Sequence, residues 1–197
     1  LAGLMRAHLP ADDPVLPFAE VLDDPVLGDQ ALRGYLTGSV DVVLRVGERH
    51  LVVDYKTNWL GPVDTPLTTA HYDPTALREA MNHSSYPLQA ILYGVVLHRF
   101  LRWRLPGYDP AVHFGGVLYL YLRGMAGPDT PVIDGHPTGV FSWQPPMALI
   151  EGVSDLLDGR RPGTGDAGAT ATAGATTTSA GGTAAGAPSA EPSEETR

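Results

Sequence analysis

Cysteine is absent from all 197 residues, which excludes a disulfide framework, a thiolate metal site and an iron–sulfur cluster held by four thiolates. No apolar run approaches the ~20 residues that a membrane-spanning helix needs, and no signal-peptide pattern opens the chain. The expectation is a soluble, cytoplasmic protein with no membrane partner. Lysine is nearly absent too: of 13 basic residues 12 are Arg, and Lys56 stands alone. A position that keeps Lys against such a preference points to a need for a compact ammonium rather than a guanidinium fork. A starting Met is also lacking. The chain opens on Leu1 in mid-pattern, so it is expected to be a piece of something longer, truncated at its N-terminal side.

From about residue 162 onward Leu, Ile, Val and aromatic side chains are missing. Such a stretch cannot bury enough apolar surface to offset its ordering entropy. The expected organisation is one globular domain over residues 1–160 and a disordered Ala/Gly/Thr-rich tail over 161–197. An excess of positive charge is lacking as well. The net charge is −9; residues 162–197 hold Asp166, Glu191, Glu194 and Glu195 against Arg197, a net of −3, which leaves −6 for the remainder. That balance argues against a stand-alone DNA-binding module. An acidic domain still acts on DNA if its carboxylates hold divalent cations and other domains supply the basic channel.

What is present reads as alternating strand and helix signals. After a helical start over Leu1 to His8 comes a Pro/Asp-rich connection. Tyr35–Val46 and His50–Thr57 alternate and are rich in Val and Leu, as strands are. Gly47-Glu48 between them suits a two-residue type II′ turn. A loop from Asn58 to Asp73 precedes a short helix, Pro74–Asn82. A longer helix follows from about Pro87 to Leu105, with Pro at its first position and Leu88, Leu92, Val95 and Val96 as its apolar face. Val112–Leu122 is strand-like, with a Gly115-Gly116 interruption that indicates a bulge or a close backbone approach. Pro146–Leu157 reads as a last helix. The order gives an α/β domain.

Pairing the hairpin through its turn sets Val46 against Arg49, and facing positions then sum to 95. Asp41 falls opposite Asp54, and Ser39 opposite Lys56. Alternation separates two faces: Val40, Val42, Leu44, Leu51, Val53 and Tyr55 form the expected core face, and Ser39, Asp41, Val43, Val52, Asp54 and Lys56 form the other. Carboxylates directly opposite each other, with Cβ atoms roughly 4.5–5.5 Å apart, repel. Lys56 softens the repulsion, and a divalent ion removes it more fully, since Mg²⁺ takes one or two carboxylates plus substrate phosphate oxygens. Two acids and a lysine around a metal suit phosphodiester hydrolysis. The hairpin alone leaves a second reading open, a strand pair whose polar residues merely keep an outer face wet.

The pattern Gly38-Ser39-Val40-Asp41, twelve residues, then Asp54-Tyr55-Lys56 resembles the G-x-x-D…D-x-K signature of the PD-(D/E)XK nuclease superfamily. The flanks are more specific. Asp54-Tyr55-Lys56-Thr57-Asn58-Trp59-Leu60-Gly61 resembles the D-Y-K-S-N-W-L-G run of the RecB-type nuclease domain of exodeoxyribonuclease V beta subunits. The segments Tyr86-Pro87-Leu88-Gln89-Ala90-Ile91-Leu92-Tyr93 and His113–Gly124 are similar to the helix and strand that follow there. The likeness covers roughly residues 30–157.

The resemblance implies a restriction-endonuclease-like α/β core, with a central mixed sheet and a β-hairpin flanked by helices. It implies that Asp41 and Asp54 bind a catalytic Mg²⁺ with the Tyr55 carbonyl as a further ligand, and that Lys56 is the catalytic lysine. Gln89 and Tyr93 match the family's Q-x-x-x-Y element beside the active site; their alternative is a buried polar pair in a core helix. Arg99, Arg102 and Arg104 fit DNA phosphates less well than a solvated helix end. The family's metal-ligating His lies well upstream and has no counterpart among His8, His50, His71, His83, His98, His113 and His136. The implied activity is exodeoxyribonuclease V-type hydrolysis of double-stranded ends and unwound single strands, in double-strand-break repair and recombination. The implied partners are DNA and RecC- and RecD-like subunits. The competing expectation is a catalytically inactive nuclease-like scaffold that guides DNA, although such relics usually lose the acids or the lysine. Without a phosphate-binding G-x-x-x-x-G-K-[ST] loop, no ATPase is expected from these residues.

Overall fold

Where the sequence places two strands around Gly47-Glu48, the computed structural model has a tight antiparallel hairpin, β1 (Val42–Val46) and β2 (Arg49–Lys56). The structure describes residues 1–24 and 37–160, which lie within a unit spanning Leu1–Gly163. The expected tail and the first two residues of the expected first strand, Tyr35 and Leu36, lie outside the described residues. Gly47 takes φ 61° and Glu48 does not share the positive φ, which is the pattern of a II′ turn. The register is the expected one, Val46↔Arg49 through Val42↔Val53. The first strand is shorter than expected, because pairing stops at Val42 and residues 37–41 are not strand.

The other α-helices and strands among the described residues are α1 (Ala2–His8), α2 (Phe18–Val21), α3 (Pro74–Asn82), α4 (Tyr86–Arg104), α5 (Pro110–His113), β3 (Phe114–Tyr121), β4 (Val132–Ile133), β5 (His136–Pro137), β6 (Val140–Trp143) and α6 (Met147–Leu157). Asp73 starts α3: its side chain accepts the Ala76 amide at 2.8 Å, and Pro74 follows at the first turn, satisfying a helix-end donor. The main sheet runs β1-β2-β3-β6. β2 and β3 are parallel, whereas β1 and β6 pair antiparallel at the edges. A parallel pair needs a long crossover, and α3 with α4 supplies it. α4 packs on β2, β3 and α6, and α1 packs on α6. The result is a mixed sheet flanked by helices.

Two expectations about faces are corrected. Val52, Asp54 and Lys56, placed on the face opposite the expected core, are buried at 1%, 4% and 9% exposure although Val43 of that face is exposed, whereas of the expected core face Val53 is buried but Leu44 and Tyr55 are 42% and 46% exposed. The cause is the crossover. It lays α4 on the face that carries Val52, Asp54 and Lys56, and there the parallel register adds Val117, Tyr119 and Tyr121 of β3. On α4 itself the buried side is Ile91, Val95, Leu97, His98 and Leu101, and Val96 is exposed. Ile91, Leu97, Leu149 and Ile150 are each at most 2% exposed, and burial of each contributes about 1.5–3 kcal/mol.

The strand expected from Val112 begins at Phe114, because Asp109 and Pro110 start the single turn α5 instead. The Gly115-Gly116 interruption coincides with a register shift between His50 and Val52 opposite it. Gly116 has φ 84°, and a Cβ there would overlap the Trp143 carbonyl oxygen and lie 2.9 Å from Gln144 Cα. The sequence reading missed β6. Four residues between Gly139 and Gln144 are too few to show a period.

Candidate active site

Alternation along β2 brings Asp54 and Lys56 to one face, two residues apart. The two buried side chains form an ion pair, Lys56 Nζ with Asp54 Oδ2. Taking either charge out of water costs several kcal/mol, so further partners are required. Lys56 has them. Its ammonium donates to Gln89 Oε1 at 3.1 Å, lies 3.9 Å from the Tyr86 ring centroid and 4.9 Å from that of Tyr119. The negative faces of two aromatic rings suit a desolvated cation. Asp54 is less well served. Its buried Oδ2 has the Lys56 ammonium as its partner and no backbone or other side-chain donor.

Asp41 lies one residue beyond the β1–β2 ladder and is exposed. Its carboxylate accepts the Tyr55 amide at 3.0 Å, the peptide N–H between Asp54 and Lys56. The second acid is therefore fixed at the rim of the same site. Both carboxylates are felt at the Tyr93 hydroxyl. Burial pushes its pKa up, the Gln89 hydrogen bond opposes this, and the charges of Asp54 and Asp41 raise it further.

Gln89 and Tyr93, one turn apart on α4, join the two halves of the site. Gln89 Nε2 donates to Tyr93 Oη at 2.9 Å, and Tyr93 Oη donates to the Ser39 carbonyl at 2.6 Å. A continuous chain thus runs from the Lys56 ammonium through Gln89 and Tyr93 to the backbone two residues before Asp41. Tyr119 Oη donates to the same Gln89 oxygen at 3.1 Å and fixes the amide's orientation. The Tyr119 and Tyr121 hydroxyls are held un-ionised by burial first and by the Asp54 charge among other neighbours. A groove of about 930 Å³ passes Gln89 and Tyr93 and is walled by Gly38, Val40, Leu88 and Val96.

Tyr86 and Tyr119 are the residues that sequence reasoning missed. A signal for Tyr119 exists only once β2 and β3 are known to be parallel neighbours, because the register then sets Tyr119 beside Asp54. Tyr86 also donates to Asn58 Oδ1 at 3.2 Å. Tyr86→Phe keeps the ring over the ammonium and is expected to cost about 1 kcal/mol or less. Tyr86→Ala removes the ring and leaves a void, and about 3 kcal/mol is expected. Urea unfolding of both variants measures the difference.

Arg99 lines the same groove, but its guanidinium is engaged elsewhere. It binds Ser154 Oγ, the Ser154 carbonyl and Asp158 Oδ1, and so ties α4 to α6. Arg104 lies over the Trp103 ring. Among the described residues no group of three or more His, Cys, Asp or Glu side chains gathers. The oxygens available to a cation are those of Asp41 and Asp54 and the main-chain carbonyls beside them. A buried carboxylate with a second carboxylate at the rim fits a hard ion that takes one or two carboxylates and completes its shell with water and phosphate.

No family model matches the chain. Individual relatives do. The chain is 63% identical over 159 residues to a protein of Mycolicibacterium smegmatis named RecBCD enzyme subunit RecB, a match that covers 81% of this chain and 15% of that protein. The proteins of the same name from Mycobacterium tuberculosis strain H37Rv and Escherichia coli K12 are 62% and 35% identical, each over 79% of this chain and over 14% and 13% of their own lengths. With 63% identity across four-fifths of its length, the chain is a homologue of RecB subunits, matched over a segment that spans about 15% of theirs.

Proposed function

We propose that the chain is a nuclease domain of the PD-(D/E)XK fold that hydrolyses DNA phosphodiesters with Mg²⁺, in the manner of exodeoxyribonuclease V. In this reading it serves a RecBCD-like helicase–nuclease in double-strand-break repair and recombination, works in the cytoplasm with RecC- and RecD-like subunits, and acts on duplex ends and unwound strands. The observation that carries the reading is the buried Asp54–Lys56 pair with Asp41 at its rim. These residues occupy the positions that the motif resemblance assigns to the acids and the lysine. The likeness to RecB subunits supports it.

Asp41, Asp54 and the Tyr55 carbonyl would hold the Mg²⁺. Bound there, the ion supplies Lewis acidity, polarising the phosphate and lowering the pKa of a bound water. The chain's own residues do the rest. Lys56 presents an ammonium whose position is fixed by Gln89 and by the Tyr86 and Tyr119 rings. From there it donates to a phosphate oxygen and offsets the charge that develops on it. Gln89 and Tyr93 keep the Asp41 segment and the lysine in fixed relation, so both groups meet the substrate without reorganisation. The domain boundary at about residue 160 belongs to the same proposal.

The test is cleavage of linear DNA by the full-length protein over a Mg²⁺ titration. Asp54→Ala and Asp41→Ala are expected to lower the rate by about 100-fold or more at any Mg²⁺ concentration. Cleavage at the parental rate by either variant would show that the acids do not hold the metal. A protein that never cleaves, with or without the substitutions, would favour the inactive scaffold.

A further inference from the structure

Beyond Lys56 the chain turns out of β2 and exposes a large aromatic that the mechanism does not use. Trp59 keeps 50% of its surface open. It is nonetheless held in place, because its indole Nε1 donates to the Pro62 carbonyl at 3.4 Å. The Arg123 guanidinium stands 5.8 Å from the Trp59 ring centroid, and its Nε donates to the Thr57 carbonyl at 2.9 Å. β2 and β3 are parallel, so the residues that follow them, Thr57–Trp59 and Leu122–Arg123, emerge at the same end of the sheet as Lys56. A short path connects the two places: the Tyr86 ring covers Lys56, and its hydroxyl binds Asn58, the residue before Trp59.

An anchored indole with an open surface, backed by a cation and next to a phosphodiester-cutting site, has the parts of a base-stacking platform. Every base offers a π-face, and a guanidinium adds cation–π attraction and reaches phosphate oxygens. Bases stacked inside a duplex offer no free face, so the platform selects an unpaired strand. We propose that Trp59 and Arg123 form a subsite for a base of single-stranded DNA beside the active site. The proposal rests on the nuclease reading, because that reading supplies the strand.

The test uses the full chain in chelator-containing, low-salt buffer, where no cleavage occurs, with an oligothymidylate of ~12 nucleotides as the probe. Tryptophan emission is expected to fall saturably as the strand is added. In Trp59→Phe the quenching should largely vanish while affinity, read by the anisotropy of a labelled strand, stays within a few-fold. Trp59→Ala is expected to weaken binding about 5- to 100-fold, and Arg123→Gln by a smaller factor in the same direction. A duplex of the same length should show no dependence on Trp59. Equal affinity in Trp59→Ala, quenching that persists in Trp59→Phe and so arises at exposed Trp103, or no saturable binding would each overturn the subsite. Since no metal or turnover enters this measurement, its failure leaves the Asp54→Ala cleavage test standing, and failure of that test leaves the strand-binding result intact.

Discussion

Lys56→Met is expected to slow DNA cleavage by about 100- to 10,000-fold and also to destabilise the protein by about 3–5 kcal/mol. The two losses have different origins. The methionine keeps most of the apolar stem that packs beneath Tyr86 and Tyr119 but removes the ammonium. Buried Asp54 Oδ2 then loses the one cation that meets it. A carboxylate in that position is costly, and the chain unfolds more easily. Asp54→Leu combined with Lys56→Met removes both charges, and replacing a whole buried pair by apolar groups of similar volume is often neutral or better for stability. The double variant should therefore recover to within about 1 kcal/mol of the parent in urea unfolding and still fail to cut DNA. If the single variant unfolds like the parent, the pair is not buried as described. If the double variant cuts, the lysine has no part in the chemistry.

Gly116→Ala is the substitution with the largest expected effect on stability away from the site, about 3 kcal/mol or more. Two costs coincide there. The φ of 84° is one that a side chain rarely adopts, and the added Cβ meets the Trp143 carbonyl and Gln144 Cα, which are backbone atoms with no rotamer to escape into. Relief would require β6 to move away from β3. That would disturb the Val117↔Trp143 pairing and the bond from the Trp143 indole to Asp13 at 3.2 Å. For a domain of this size the melting temperature should fall by roughly 6–12 °C. A melting temperature within a degree or two of the parent would mean that the strands part there at little cost.

The hairpin shows how far local information reaches. A Gly-X turn fixes its own geometry, and geometry fixes register, so the pairing of Val42 with Val53 and the meeting of Asp41 with the β2 acid–lysine segment follow from residues that are near one another in the chain. The long helix is similar, since Pro87 and the spacing of Gln89 and Tyr93 set one face before any packing is known. The helix also shows the limit. Apolar residues nearly encircle it, and spacing alone pointed to Leu88, Leu92, Val95 and Val96, of which the fold buries Val95 and leaves the other three half-buried or exposed.

The amino-acid order by itself determined the two acids, the lone lysine, the turn that brings them together and the glutamine–tyrosine pair, because each depends on spacings of a few residues. Only the tertiary structure decided which side of the hairpin α4 covers. The crossover that β2 and β3 require carries α4 onto the side with Asp54 and Lys56, and the parallel register then brings Tyr119 to Asp54 while α4 brings Tyr86 to the ammonium. One face of the hairpin carries six apolar residues and the other only Val43 and Val52, so local hydrophobicity pointed away from the side that α4 covers. The choice rests on contacts between segments tens of residues apart.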